Sequence, residues 1–350
     1  MDVLLEAHQR VGDADGPGAD EDQQAEPDHR DDRPAAHQRL AHQRLDYTRP
    51  GARLRAVRET LPSVQLVARN VGAGGDNPIH DDAAARRHGF PGALVPGVTL
   101  YAGLVPVVVA ALGAAWLERG TVEVRFLRPV LDGELLTVTG TRTTGEDGPR
   151  VAALAAHTAR AGECVRLTAA LPAAAPAPVD PTRYPAAPLP LTPPPASRAV
   201  LERLGPLGSP RVHYDAERAA RDRERAGQPL APCEPPHGVA HPAVYLELAN
   251  RAVDRNVRVG PWIHVASQVR HLGAVPIGAW LEARGRVAAL WERRGHEYVD
   301  LDLVIVAEPG GRAAAHVRHT AIYRLAAPPP PAAAPGPQGA AAPATPPEPR

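Results

Sequence analysis

Nine residues, Gly74-Gly75-Asp76-Asn77-Pro78-Ile79-His80-Asp81-Asp82, gather an imidazole, a carboxamide and carboxylates in one short loop. His80 is the candidate general acid or base, because a histidine titrates near neutral pH and can take a proton from water and return one to carbon. Asp76 is the candidate carboxylate beside it, and the two preceding glycines make the loop pliable enough to turn it inward. Asn77 would brace the loop and Pro78 would fix its turn. Downstream, Leu94-Val95-Pro96-Gly97 leads into an apolar run, with the proline as a favourable helix opener. The N–H groups of Gly97 and Val98 would then stand unpaired at a helix N-terminus, where they favour negative charge. This combination suits chemistry on a polarised carbonyl compound, and a donor of that kind can lower the barrier by about 3 kcal/mol.

The order of these residues resembles the loop of MaoC-like (R)-specific enoyl-CoA hydratases, which reads Asp-x-Asn-Pro-(Leu/Ile)-His and is followed by a glycine opening the central helix of a hotdog fold. Asn77, Pro78, Ile79, His80 and Gly97 match that pattern. The family's Asp falls at Gly75, and Asp76 stands one residue later. The resemblance implies that His80 and the acid hold a water against an enoyl thioester while Gly97 and Val98 meet the thioester oxygen. The substrate would be an enoyl- or 3-hydroxyacyl thioester of coenzyme A or of an acyl carrier protein. No cofactor beyond that thioester is implied.

A second set of candidates lies in the carboxy-terminal half. His241 immediately precedes the helix-opening Pro242, and Glu247 and Asn250, three residues apart, share one face of that helix. A carboxylate on the central helix resembles the layout of hotdog thioesterases, with His237 or His241 as its partner. Three readings therefore stand side by side. They are a hydratase or dehydratase built on His80, a thioesterase built on Glu247, and a non-catalytic acyl-thioester-binding scaffold, to which Gly75 points. His237 and His241 lack a third ligand, so no metal is expected. His264 alternates with apolar neighbours and reads as a buried, hydrogen-bonded histidine. Arg125 and Arg270 are exposed-charge candidates for the phosphates of a coenzyme A arm.

Composition narrows the class. Acidic and basic residues balance at 39 each, every basic residue being arginine, which gives no electrostatic case for nucleic acid. Cys164 and Cys233 are far apart and show no metal or disulfide spacing. The amino terminus is polar and acidic rather than signal-like. The apolar run from Leu94 to Leu117 is broken by Pro106 and Gly113 and reads as a core helix rather than a membrane span. A soluble, cytoplasmic protein is the expectation.

Segments 1–51 and 326–350 are expected to be disordered, the first polar and acidic, the second rich in Pro and Ala. Segment 172–197 reads as a stiff Pro/Ala linker. Two blocks remain, 52–171 and 198–325, and they read as copies. Val124-Arg125-x-Leu127-x-x-Val130-x-x-Gly133 recurs 145 residues later as Val269-Arg270-x-Leu272-x-x-Val275-x-x-Gly278. Each block offers one helix, Pro96 to Trp116 or Pro242 to Asn256. Four strands follow it, 121–127, 135–143, 151–159 and 164–171 in the first block and 262–271, 279–291, 297–307 and 313–325 in the second. A helix followed by an antiparallel meander gives an α+β double hotdog, a pseudo-dimer within one chain. Fusion makes sense because a lone hotdog leaves sheet edges that otherwise pair between subunits. Further association of whole chains is left open.

Overall fold

The computed structural model describes residues 57–145 and 148–326. The expected disorder of 1–51 therefore lies outside the described residues, as does that of the tail beyond residue 326. The first copy contains strands β1 (Val57–Thr60) and β2 (Val64–Val67), helices α1 (Asp82–Arg87), α2 (Gly97–Leu112) and α3 (Trp116–Arg119), then strands β3 (Thr121–Phe126), β4 (Leu135–Thr144), β5 (Arg150–Thr158) and β6 (Gly162–Leu171). The second contains α4 (Arg198–Arg203), β7 (Arg211–His213), α5 (Ala216–Ala226), α6 (Ala243–Asp254) and strands β8 (Ile263–His271), β9 (Trp280–Arg293), β10 (His296–Glu308) and β11 (Arg312–Arg324).

These strands form one antiparallel sheet in the order β1-β4-β5-β6-β3-β8-β11-β10-β9-β7, with β2 also on β4. The copies meet at the β3–β8 pair, where Val122 lies opposite Val269 and Val124 opposite Ser267. Helix α2 is buried without a break from Val98 to Val108, as an apolar helix enclosed by its own sheet must be. One continuous hydrophobic core runs from Val98 and Leu104 of the first copy to Leu246 and Leu303 of the second.

The repeat extends beyond the motif that reveals it. Val95 N–H donates to Val130 O at 2.8 Å, and Ala240 N–H, 145 residues on, donates to Val275 O at 2.7 Å. The bridges Leu94–Leu131 and Val239–Pro276 are related in the same way. The helices start at Gly97 and Ala243, so the second copy inserts one residue around His241-Pro242.

Beyond the one helix and four strands expected of each copy, the structure adds β1, β2, β7 and the short α4. Segment 172–197 is pinned to the second copy: Ala196 N–H donates to Arg258 O at 3.0 Å, and Arg258 N–H to Pro194 O at 2.7 Å. Helix α5 was not anticipated. Its signals are local, with the Asp215 side chain capping Arg218 N–H at 2.8 Å and Gly227 closing the helix at φ 66°.

Candidate active site

The loop that carries Asn77 and His80 folds as the sequence dictates. Asn77 caps a single 3-10 turn, Pro78–His80, its Oδ1 accepting from Ile79 N–H at 3.3 Å. The same carboxamide ties the loop to the second copy, donating from Nδ2 to Trp262 O at 2.9 Å and accepting from Trp262 N–H at 3.3 Å. Asn70 holds the turn from behind by donating to His80 O at 2.8 Å. Gly72 lies so close that a Cβ there would stand 2.8 Å from the His80 ring.

His80 is thereby fixed in orientation. Its Nδ1 lies 2.7 Å from Leu94 O, and a carbonyl can only accept, so Nδ1 carries the proton of the neutral ring. Nε2 keeps its lone pair and accepts from Asn77 Nδ2–H at 3.4 Å. Burial pushes the ring's pKa below the ordinary histidine value, against the opposing pull of Leu94 O and Asp81. At neutral pH His80 is an unprotonated, oriented base.

That base borders a cleft between the two copies. Its walls include Ile79, Leu94, Gly97 and Phe126 from the first copy and Asn250, Trp262 and His264 from the second. The space measures about 570 Å³ when its open mouth is included. Helix α2 aims its N-terminus at this cleft. Its first bonds run from Thr99 and Leu100 N–H to Pro96 O, so the N–H groups of Gly97 and Val98 precede any intrahelical acceptor. Gly97 is required by packing, since a Cβ there would meet the Phe126 ring at 2.9 Å.

Of the first-half candidates, the structure brings His80, Asn77 and Gly97 to this cleft, Val98 being buried and not on its walls; Asn250 joins them from the second-half set. Asn250 presents a buried Oδ1 with no hydrogen-bond partner among the described residues. Asp76 is not brought there. It faces solvent, 78% exposed, and pairs with Arg255 at 2.9 Å. The loop turns Asp76 outward because Asn77 is held by Trp262 and the following turn points His80 inward.

Glu247 is likewise not brought to the cleft. It lies within a cluster of arginines, bonded to Arg218, 2.8 Å from Arg251 and 3.3 Å from Arg225. Burial raises its pKa, but Arg218 and Arg225 outweigh that and leave it below the usual carboxylate range. It is an ion-pair anchor, where a thioesterase base would have to face a thioester. His241 is wholly buried, accepts from Ala243 N–H at 3.2 Å, and borders a separate small cavity with Cys233 and Arg223. Burial lowers its pKa to about 3. His237 is exposed. Among the described residues no cluster of His, Cys, Asp or Glu is placed to hold a metal ion.

Arg125 pairs with Glu123 at 2.6 Å, and neither it nor Arg270 borders the cleft. The guanidinium that does is Arg128, which sequence reading passed over. So did it pass over Phe126, whose counterpart 145 residues on is His271. The signal for both was available: they are positions at which the repeat is broken. In the second copy that counterpart packs against Trp116 and Tyr245, ring centroids 4.6 and 5.8 Å away, and all three rings are buried.

The fold has known counterparts. A protein described as a MaoC domain dehydratase, from Chloroflexus aurantiacus, superposes with a TM-score of 0.50 at 11% identity, over 77% of this chain and 95% of that one. Rv0216 of Mycobacterium tuberculosis, a double hotdog protein, gives 0.49 at 14% identity, over 75% and 95%. A protein described as a thioesterase, from Novosphingobium aromaticivorans, gives 0.41 at 13%, over 66% and 88%. No protein-family model and no curated protein matches the sequence. The chain has a double hotdog fold, in the arrangement of MaoC-like dehydratases.

Proposed function

We propose that the cleft receives an acyl thioester and that His80 catalyses reversible addition of water to its 2,3-double bond. The observation that carries this reading is the shared orientation of two groups. A neutral imidazole with an unprotonated Nε2 and Gly97, whose N–H opens the helix ahead of any intrahelical acceptor, border the same cleft. The thioester oxygen, which gains negative charge as water adds, would accept from that N–H. His80 Nε2 would take a proton from water as its oxygen bonds to the β-carbon, then return that proton to the α-carbon. Apolar walls at Ile79, Leu94 and Val130 suit the acyl chain.

The test is loss of the enoyl thioester's ultraviolet absorbance with short- and medium-chain trans-2-enoyl-CoA. Wild type is expected to turn over, and His80→Ala to fall by about 10²- to 10⁴-fold while remaining folded. Unchanged turnover in that variant rejects the reading.

A second reading, binding without turnover, is favoured by one observation: Asp76 faces Arg255 and solvent, and no carboxylate borders the cleft. It expects saturable binding of acyl-CoA with no product from any enoyl chain length.

A further inference from the structure

Water addition needs the attacking water to be aimed as well as deprotonated. Gly75 and the outward-facing Asp76 leave the loop without a group for that task. The cleft's opposite wall holds one. His264, the second residue of β8, borders the cleft and is buried. Its Nε2 lies 2.8 Å from Ser267 Oγ, and Ser267 Oγ lies 3.0 Å from His319 Nδ1 on neighbouring β11. The two imidazoles lie 4.2 Å apart between centroids with their planes tilted by 37°, and Phe126 packs its ring against His264 at 4.7 Å. His264 Nδ1 and His319 Nε2 are both buried with no partner among the described residues.

A hydroxyl between two imidazoles has one proton to donate, so the three groups have two neutral arrangements. In one, His264 Nε2–H donates to Ser267, Ser267 donates to His319 Nδ1, and the outer nitrogen of His264 is bare. In the other every bond is reversed, and that nitrogen carries a proton. Nε2 and Ser267 Oγ stand at hydrogen-bonding distance in both arrangements, and only the first leaves Nδ1, the His264 nitrogen without a partner among the described residues, able to accept. Burial holds both rings neutral, His319 down to about 3.

Resting on the hydratase reading of the cleft, we propose that His264 Nδ1 accepts a hydrogen bond from the attacking water and thereby aims it, with Ser267 and His319 as positioning residues that fix its tautomer. The step balances without charging His264. The water oxygen bonds to the β-carbon, one of its protons passes through His80 to the α-carbon, and the other stays on the new hydroxyl.

Nitrogen-15 NMR of histidine-labelled full-length protein at neutral pH reads the tautomer with no turnover required. A bare Nδ1 on His264 and on His319 is expected, and the His264 signal should shift to mixed tautomers in Ser267→Ala. A protonated Nδ1 or a charged ring on His264 overturns the inference whatever the activity. Kinetics supply the second arm. If wild type hydrates enoyl-CoA, Ser267→Ala is expected to lower kcat about tenfold with KM unchanged, and Ser267→Thr, which keeps the hydroxyl, to restore it. His264→Phe should lose more than Ser267→Ala while still binding a saturated acyl-CoA. Wild-type kcat in folded His264→Phe rejects the water-aiming role. If wild type itself is inactive, the hydratase reading falls and the water-aiming role falls with it, leaving only the tautomer for NMR to judge.

Discussion

Glu123 and Gln268 face each other across β3 and β8, and they are the same position of the repeat, 145 residues apart. Gln268 Nε2 reaches Glu123 Oε2 at 3.4 Å. A residue paired with its own copy marks a local two-fold axis, as in an isologous dimer interface. Its neighbours obey the same operator: Val122 pairs with Val269, and their counterparts Ser267 and Val124 pair in turn. The axis puts the cleft where the copies meet, and this is why Asn77 of one can bond Trp262 of the other.

The seam should make the copies unfold together. Val124 is fully buried there, and one core spans both halves. In urea, tryptophan fluorescence and far-ultraviolet circular dichroism are expected to give coincident transitions. Val124→Ala should lower stability by about 2 kcal/mol and leave the transition single. Two separated transitions would show that the copies fold independently.

Much of this frame was legible because hotdog strands are long, alternating and punctuated by glycine. The repeat motif fixed which strands correspond, and each of the eight expected strands appears within two residues of its expected bounds, while the short β7 was not expected. Helix α5 was missed because its buried face is carried by Ala219, Asp222 and Ala226 rather than by large apolar residues, so its caps were the plainer signal. At the cleft, the positions of His80 and Gly97 were legible because they are local, set by a turn and a helix start. His264 and Arg128 reach the cleft through strands paired between copies, and sequence spacing alone cannot say which strand faces which crevice; Asn250 was a candidate, but for the other half's set. Asp76 misled because it is near His80 in sequence, while the Asn77–Trp262 bonds turn it outward.

Gly97→Ala tests whether the helix start is shaped for a ligand. Alanine improves helix propensity over glycine by up to about 1 kcal/mol, yet its Cβ would stand 2.9 Å from the Phe126 ring. The ring must then move toward the cleft it borders. Overpacking of about 1–3 kcal/mol is expected to outweigh the propensity gain. Acyl-CoA binding by calorimetry should weaken by tenfold or more. Adding Phe126→Leu should recover it, and failure of that rescue would mean that Gly97 serves another purpose.

Asp76 and Glu247 make opposite predictions. The Asp76–Arg255 pair is largely in solvent, so Asp76→Ala should change stability by less than about 1 kcal/mol and leave turnover unaltered. Glu247 is 15% exposed between arginines that are themselves mostly covered. Glu247→Ala leaves Arg218 and Arg225 without it and should destabilise by about 3 kcal/mol. Activity per folded molecule should not change, as read by turnover against the folded fraction from circular dichroism. A thermally intact but inactive Glu247→Ala would return that carboxylate to the chemistry.

Acid should weaken the fold earlier than carboxylate titration alone would. Burial lowers the pKa of His241 and His319 to about 3 and of His271 to about 4, with His264 also well below its ordinary value. Below about 6.5 the unfolded chain takes up protons at these positions and the folded chain does not. Stability is therefore full above that pH and falls as pH drops, by about 1.4 kcal/mol per pH unit for each histidine. Asp254 works the other way, its pKa raised by burial to about 6, so the folded state binds its proton first and gains stability on acidification. Asp222, also raised by burial, acts in the same sense, but the four histidines outweigh the two aspartates, and a net loss is expected between pH 6 and pH 5 in urea titrations. His271→Phe, which installs the residue that the first copy carries at Phe126, should reduce the slope by about 1.4 kcal/mol per pH unit. An unchanged slope would show that His271 is protonated in the folded state, which its burial against Trp116 opposes more strongly than its Nδ1 contact to Leu117 O at 3.1 Å favours it.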